Sequence, residues 1–322
     1  MDIRNRINKL FRADEMGVVI SLVLIIAVTT VIRRDFLSID NFRAMFTQIT
    51  YIAVVALGTS IPLMVGNVDI SGGRVAGLSG IMMASLIIDG WPAGIAIVFA
   101  LLVALLVGML NGFLVVYCNI TDFIVTMGTL YIAGGARYLF MRGYLLSLNE
   151  IPGFTLTTIF QSRYFGMPIY FWITILLVIL LTLMIKRTIF GRSLLIAGDS
   201  REVAQLAGIK VNRVRFIAYM LSALFAGIAG IFLTLSIGLG LPETGDGWEF
   251  RGIAGAVVGG TSLAGGKSSP LGTFLGVTLM FVAENAIIFI GLPATMRVAV
   301  QGILMAVAVF IDLQRQKRKT RA

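Results

Sequence analysis

The chain has 322 residues, of which 58% are hydrophobic and only 13% charged, and the apolar residues fall in long runs, which excludes a soluble domain. A formal net charge of +10 does not point to nucleic acid, because the basic residues gather beside hydrophobic spans, where the positive-inside tendency accounts for them. One cysteine, Cys118, and no histidine exclude an internal disulfide and argue against a conventional zinc or histidine-based catalytic site.

The N-terminal MDIRNRINKLFRADE is basic and runs into a long span without a small-residue cleavage site, so it reads as a retained first helix whose leading end stays in the cytoplasm. A hydrocarbon core about 30 Å thick needs roughly 20 apolar residues per helix, with about 17 as the lower limit. On that criterion ten candidate spans emerge, at 16–32, 44–65, 75–88, 94–117, 123–141, 168–185, 216–239, 251–264, 270–291 and 295–311. The third and the eighth are too short to cross alone. The expected fold is all-α, a single transmembrane domain over 1–322 with about ten helices and both termini cytoplasmic.

Between the sixth and seventh spans lies the polar block KRTIFGRSLLIAGDSREVAQLAGIKVNRVR at 186–215, with seven basic residues: Lys186, Arg187, Arg192, Arg201, Lys210, Arg213 and Arg215. An even number of crossings from a cytoplasmic N-terminus places it in the cytoplasm with the C-terminal LQRQKRKTR. Within it a short helix is predicted, capped by Ser200 or Asp199, favoured at its first turn by Glu202 and ended by Gly208. Val203, Leu206 and Ala207 share one side, so this helix docks on something other than lipid tails, lies on headgroups or stays solvated.

The two short spans abut glycine-rich breaks, GNVDISGGR at 66–74 and GGTSLAGGK at 259–267. Gly66 aligns with Gly259, Gly72 with Gly265, Gly73 with Gly266 and Arg74 with Lys267, a weak internal repeat of parallel orientation. AGGKSS around Lys267 is not a phosphate-binding loop, because that motif needs glycine where Thr261 stands.

Asp69 is the sharpest single residue, since a carboxylate near membrane depth is costly unless it faces water, a cation or donor groups. Unwound backbone beside Asn67, Asp69 and Ser71 could line a polar pathway; alternatively Asp69 caps the next helix or pairs with Arg74. Asn111, Thr126 and Asn285 are further in-span polar candidates for that pathway, although helix-to-helix hydrogen bonds explain most such groups. Arg137 and Arg297 are long enough to snorkel to an interface. On the outer side, Arg142, Arg163, Glu243 and Asp246 could grip a charged partner near Trp248 and Glu249.

Three stretches, GNVDISGGRVAGLSG at 66–80, FGRSLLIAGDSREVAQLAGIKVNRVRFIAY at 190–219 and IAGAVVGGTSLAGGKSSPLGTFLG at 253–276, together resemble the permease subunits of sugar-uptake ATP-binding cassette transporters, the ribose, xylose and galactose permease family. The resemblance spans nearly the whole chain. It implies a multi-pass permease of the bacterial inner membrane, working by alternating access. Its partners would be separate ATPase subunits, a second permease copy or paralogue and an extracytoplasmic sugar-binding protein, with membrane lipid around it and no nucleic acid. The chain would be no enzyme and hold no cofactor, ATP being used by the partner subunits. By the same carry-over, Asp199, Ser200, Arg201, Glu202, Val203, Ala204, Gln205, Leu206, Ala207 and Gly208 form the coupling helix that sits in a cleft of the ATPase. Asn67, Gly72 and Arg74 depart from the family's usual Gly-Ile-Asp-Leu-Ser-Val-Gly-Ser pattern, which Asp69, Ser71 and Gly73 keep. These departures loosely resemble permeases for autoinducer-2 or rhamnose. An ion-gradient-driven secondary transporter is the alternative that the broken helices and in-span carboxylates allow.

Overall fold

The computed structural model describes residues 13–141, 144–293 and 296–320. In chain order the helices are α1 (Ala13–Ile32), α2 (Ile39–Met64), α3 (Gly72–Ile88), α4 (Ala93–Val116), α5 (Asp122–Met141), α6 (Leu156–Gln161), α7 (Ile169–Arg187), α8 (Ile189–Asp199), α9 (Arg201–Leu206), α10 (Val211–Ile237), α11 (Trp248–Val258), α12 (Pro270–Phe289) and α13 (Met296–Thr320). Two tiny antiparallel ribbons join loops: β1 (Leu146–Ser147) pairs with β4 (Leu239–Gly240), and β2 (Arg163–Tyr164) with β3 (Met167–Pro168). Among the described residues, α1, α2, α4, α5, α7, α10 and α12 are long and apolar enough to cross a membrane. This is the helical membrane bundle that the composition predicts.

Helices α2 and α10 form the centre, with side chains such as Leu57, Ile61, Ala218 and Tyr219 fully buried. Helices α1, α4 and α7 surround them and leave Val31, Leu102 and Leu180 on the outside, the apolar exterior that a bilayer demands. The two ends of the bundle are marked by cross-chain contacts. At one end Ser269, which caps α12, donates to the Glu15 carboxylate at the start of α1, and the Gly266 N–H donates to the Met64 carbonyl at 3.0 Å. We call this the basic end, because α8 and α9 lie there. At the opposite end the Asn285 amide donates to the Asn41 Oδ1 at 2.8 Å and Phe36 packs edge-on against Phe289.

The two short spans are each half helix and half extended chain. Helix α2 ends at the basic end, and residues 65–71 then run back along it without helical structure, so that Gly72 starts α3 level with Val55 and Thr59. Residues 241–247 do the reverse: they enter from the opposite end alongside α3, with Gly245 against Gly73, before α11 begins at Trp248. Trp248 stacks on Tyr51, Gly252 meets Ala56, and the chain after α11 meets the end of α2, so α2 and α11 run parallel. At 11 residues and 1.5 Å per residue, α11 is about 16 Å long, too short to cross. The eighth predicted span is therefore a half-helix.

The ends of α2 and α11 share one hydrogen-bond pattern. Gly66 and Gly260 adopt left-handed φ of 68° and 95°; their N–H groups donate to Leu63 and Val257, and the following Asn67 and Thr261 donate to Pro62 and Ala256. Both are Schellman closures, for which a residue without a β-carbon is preferred. The repeat is real at this level but shifted: Gly66 corresponds to Gly260, not to the predicted Gly259. The glycine doublet permits either register in sequence, and only the backbone conformation separates them. After the closures the copies diverge, α3 starting six residues after Gly66 and α12 ten residues after Gly260.

Candidate functional site

The polar block folds into two short helices. Thr188 caps α8, accepting from the Gly191 N–H at 3.0 Å, and extended Ser200 ends α8 and caps α9, accepting from the Val203 N–H at 3.3 Å. Gly208, at φ 75°, closes α9 through Gly208 N–H to Gln205 O and Ile209 N–H to Ala204 O. The predicted cap and stop are both in place, whereas α8 was not foreseen, because IFGRSLLIAGD carries two glycines and its apolar side is legible only against α2 and α10.

Helix α9 touches the body through little more than Ala204, which is fully buried, while Arg201, Glu202, Val203, Gln205, Leu206, Ala207 and Gly208 are exposed. Leu206 is 89% exposed and Val203 58%, values that mark an apolar surface left open. Between α8 and α9 lies an open cleft of about 510 Å³, with Leu195, Ile196, Val203 and Ala207 on its walls and Gly266 at its base.

That base joins the helix pair to both glycine-rich breaks. A β-carbon on Gly198, near the end of α8, would collide with the Met64 carbonyl and lie 2.6 Å from the Gly266 nitrogen. One on Gly266 would stand 3.0 Å from Asp199 Oδ1, and one on Gly66 3.1 Å from the Ala264 carbonyl. The end of α2, the chain after α11 and the end of α8 thus meet backbone to backbone.

Above this junction, residues 67–71 are held by side chains in place of helical hydrogen bonds. Asp69 is fully buried; its Oδ1 accepts from the Ser71 N–H at 2.9 Å and the Ser71 hydroxyl at 2.6 Å, and that hydroxyl accepts from the Asn111 amide at 3.0 Å. Asp69 therefore holds the start of α3, and it is not the partner of Arg74. Asp69 Oδ2 and Asn111 Oδ1 make no hydrogen bond among the described residues, so this closed polar cluster retains unused acceptors. Asn67 is gripped from two sides, donating to Asp122 Oδ2 at 3.1 Å and accepting from Arg215 Nε at 2.9 Å. Asp122 also accepts from the Val68 N–H at 2.8 Å. Thr126, one turn along α5, is fully buried and bonds the Asp122 carbonyl at 2.8 Å. Asn67, Asp69, Ser71, Asn111 and Thr126 therefore gather in one region, whereas Asn285 lies at the opposite end with Asn41.

Asp122 and Arg215 were missed as site residues. Asp122 immediately precedes the predicted span 123–141 and Arg215 is the last residue of the polar block, positions where charge is accounted for by the membrane interface; the one available signal was that Asp122 opens a span.

The second extended segment is held by a different charge arrangement. Asp246 accepts from Arg74 at 2.5 Å and from Arg137 at 2.9 Å, and Arg137 also reaches the Thr244 carbonyl at 3.2 Å. Arg137 is only 2% exposed, so it does not snorkel; it is a buried cation paired inside the bundle. Of the predicted docking residues, Glu243 and Arg163 are exposed, Asp246 is engaged by the two arginines, and Arg142 lies outside the described residues. Nothing on α5 in sequence terms tied Arg137 to a loop more than a hundred residues away.

Comparison with known proteins adds a family and relatives. Residues 41–309 match the family model described as the branched-chain amino acid transport system / permease component. The chain is similar to the autoinducer 2 import system permease protein LsrC of Escherichia coli (strain SMS-3-5 / SECEC), at 29% identity over 92% of this chain and 86% of that one. It is similar to the ribose import permease protein RbsC of Bacillus subtilis (strain 168), at 29% identity over 93% and 92% of the two chains. RbsC of Haemophilus influenzae (strain ATCC 51907 / DSM 11121 / KW20 / Rd) is 28% identical over 91% of each. No solved structure matches significantly.

Proposed function

This chain belongs to the family of permease components of the branched-chain amino acid transport system, and from that premise we propose that it is the membrane subunit of an ATP-binding cassette importer for a sugar or sugar-like solute. The relatives named for ribose and autoinducer 2 import favour that solute class over an amino acid. In this reading the basic end faces the cytoplasm, the bilayer is the bacterial inner membrane, ATP is used by partner ATPase subunits, and an extracytoplasmic binding protein delivers solute at the opposite end. A second permease copy or paralogue completes the pathway.

The observation that carries the reading is the seating of α8 and α9. Their outer surface presents Val203 and Leu206, and their inner surface rests on the junction of both broken spans. A push on α9 from an ATPase reaches Met64, Gly266 and the extended chain above them through backbone contacts, with no long side chain to absorb the motion. The Asp69 cluster, whose acceptors are not all used, is the part of the core with most to gain from a second arrangement. A two-state pathway needs such differential contacts, since a partner shifts an equilibrium only by what it binds differently in the two states.

Leu206→Asp tests this. It should abolish co-purification with the ATPase subunit and ATP-driven uptake in proteoliposomes while membrane insertion and thermal stability stay unchanged. Undiminished co-purification removes the coupling role, and uptake driven by an ion gradient without any ATPase overturns the cassette reading. Ala204 is unsuited to the test, because its burial makes a substitution there a test of folding.

A further inference from the structure

We propose that the solute rests in a pocket between α2, α10, α11 and α12, and that this pocket takes a neutral polyhydroxylated ring; the proposal deepens the importer reading and rests on it. The pocket has a volume of about 390 Å³, within the roughly 300–1,000 Å³ range of small-molecule sites. Its polar lining comes from Thr47, Gln48 and Tyr51 of α2 and Arg251 of α11, and its apolar lining from Trp248 with Ile52 of α2, Leu233 and Ile237 of α10 and Phe281 of α12.

Trp248 stacks nearly parallel on the buried Tyr51, with centroids 6.1 Å apart and 9° between ring planes, so Tyr51 backs the half-buried Trp248 ring, which offers the pocket a flat apolar face. Tyr51 is fixed there by a 2.7 Å hydrogen bond between its hydroxyl and that of Ser236. Such a wall suits the C–H face of a sugar ring, leaving the hydroxyl edge to polar groups. Those groups are present and only partly engaged. Gln48 is exposed and makes no hydrogen bond among the described residues, although it lies nine residues into α2, about 13 Å along the helix at 1.5 Å per residue. A free amide at that depth is costly against hydrocarbon and cheap against water or a hydroxylated solute. Thr47 donates its proton to the Arg43 carbonyl at 2.8 Å, so its oxygen is an acceptor for the pocket.

The charge of the lining argues for a neutral solute. Arg251 approaches Glu284 at 3.6 Å and donates from Nε to Gln301 at 3.1 Å, so its guanidinium is balanced before any ligand arrives. An anionic phosphate or carboxylate would have to compete with Glu284. Access comes from the end opposite α9: a second pocket of about 310 Å³, bounded by Asp40, Arg43 and Arg163, shares Thr47 and Gln48 with the first. The exposed Arg163 thus stands at the mouth of a route that ends on Trp248.

Cysteine labelling of the full chain in lipid nanodiscs tests the proposal. With Cys118→Ser removing the native thiol, Gln48→Cys and, separately, Thr47→Cys are challenged with a charged, membrane-impermeant maleimide. Both should be labelled, D-ribose should slow labelling at least several-fold, L-leucine should not, and Trp248→Ala should abolish the protection. Failure of both cysteines to label means that acyl chains fill the pocket and overturns the proposal, as does labelling that D-ribose leaves untouched. Protection by L-leucine alone overturns the polyol assignment. The importer reading fails separately, if a reconstituted complex with ATPase and binding protein takes up solute without hydrolysing ATP; ribose protection in nanodiscs would still support the pocket.

Discussion

The two broken spans solve one problem in opposite ways. In the first, the extended half (65–71) lies at the basic end and the helical half, α3, beyond it; in the second, the extended half (241–247) lies at the opposite end and the helical half, α11, nearer the base. Extended backbone inside a membrane protein must find partners that a helix would supply internally. The first segment finds a carboxylate, Asp122, for the Val68 N–H, and the second finds a guanidinium, Arg137, for the Thr244 carbonyl. Both come from α5. The difference teaches that the polarity of the missing backbone bond selects the sign of the charge that replaces it: acid for an orphaned donor, base for an orphaned acceptor.

The largest expected effect is at the point where the two spans share a floor. Gly198→Val drives a side chain into the Met64 carbonyl, at a cost of about 3 kcal/mol or more, since backbone cannot yield as a side chain can. Loss of monodisperse protein by size-exclusion chromatography is the expected readout, and a well-folded variant would show that the junction is looser than its geometry.

Asp246→Asn should come next, destabilising by about 2 kcal/mol because Arg137 remains buried without a counter-charge, less than for a fully buried pair since Asp246 is 35% exposed. The melting temperature should fall, and Arg137→Met in the same chain should recover part of the loss. No recovery would mean that Asp246 acts through Arg74 instead.

Asp69→Asn separates the spans by function. It keeps an acceptor for Ser71 but turns the second carboxyl oxygen, which has no hydrogen-bond partner among the described residues, into a donor, and this should slow uptake on the order of tenfold with little change in the amount of folded protein. Parallel loss of folded protein and uptake would make Asp69 a purely structural cap. Ser200→Ala should be the mildest, removing one N-cap at a cost of about 1 kcal/mol confined to α9. Faster amide exchange in 201–207, with the rest of the chain unaltered, is the expected measurement.

Features governed by local chemistry were legible in the chain: the apolar spans, the Ser200 cap, the Gly208 stop and the position of both breaks. Asp69 stood out because a membrane penalises a carboxylate, and Asn67, Ser71, Asn111, Thr126 and Asn285 were named with it as pathway candidates, of which Asn285 lies at the opposite end with Asn41. What escaped were relations set by three-dimensional proximity. Arg137 looked like a snorkelling residue until Asp246 stood beside it, and Asp122 like an ordinary flank until it met Asn67. Helix α8 escaped for a similar reason, its two glycines weakening the helical signal while Gly191 and Gly198 are what allow its close approach to Ile185 and Met64.

Helix α5 carries Asp122 and Arg137 fifteen residues apart, about 22 Å along a stiff rod. Two hooks of opposite sign on one ruler cannot be displaced independently: any axial slide that lifts Asp122 from Val68 carries Arg137 past Thr244 by the same distance. The two unwound stretches are therefore tied to a single piece of secondary structure, at a separation set by its helical rise.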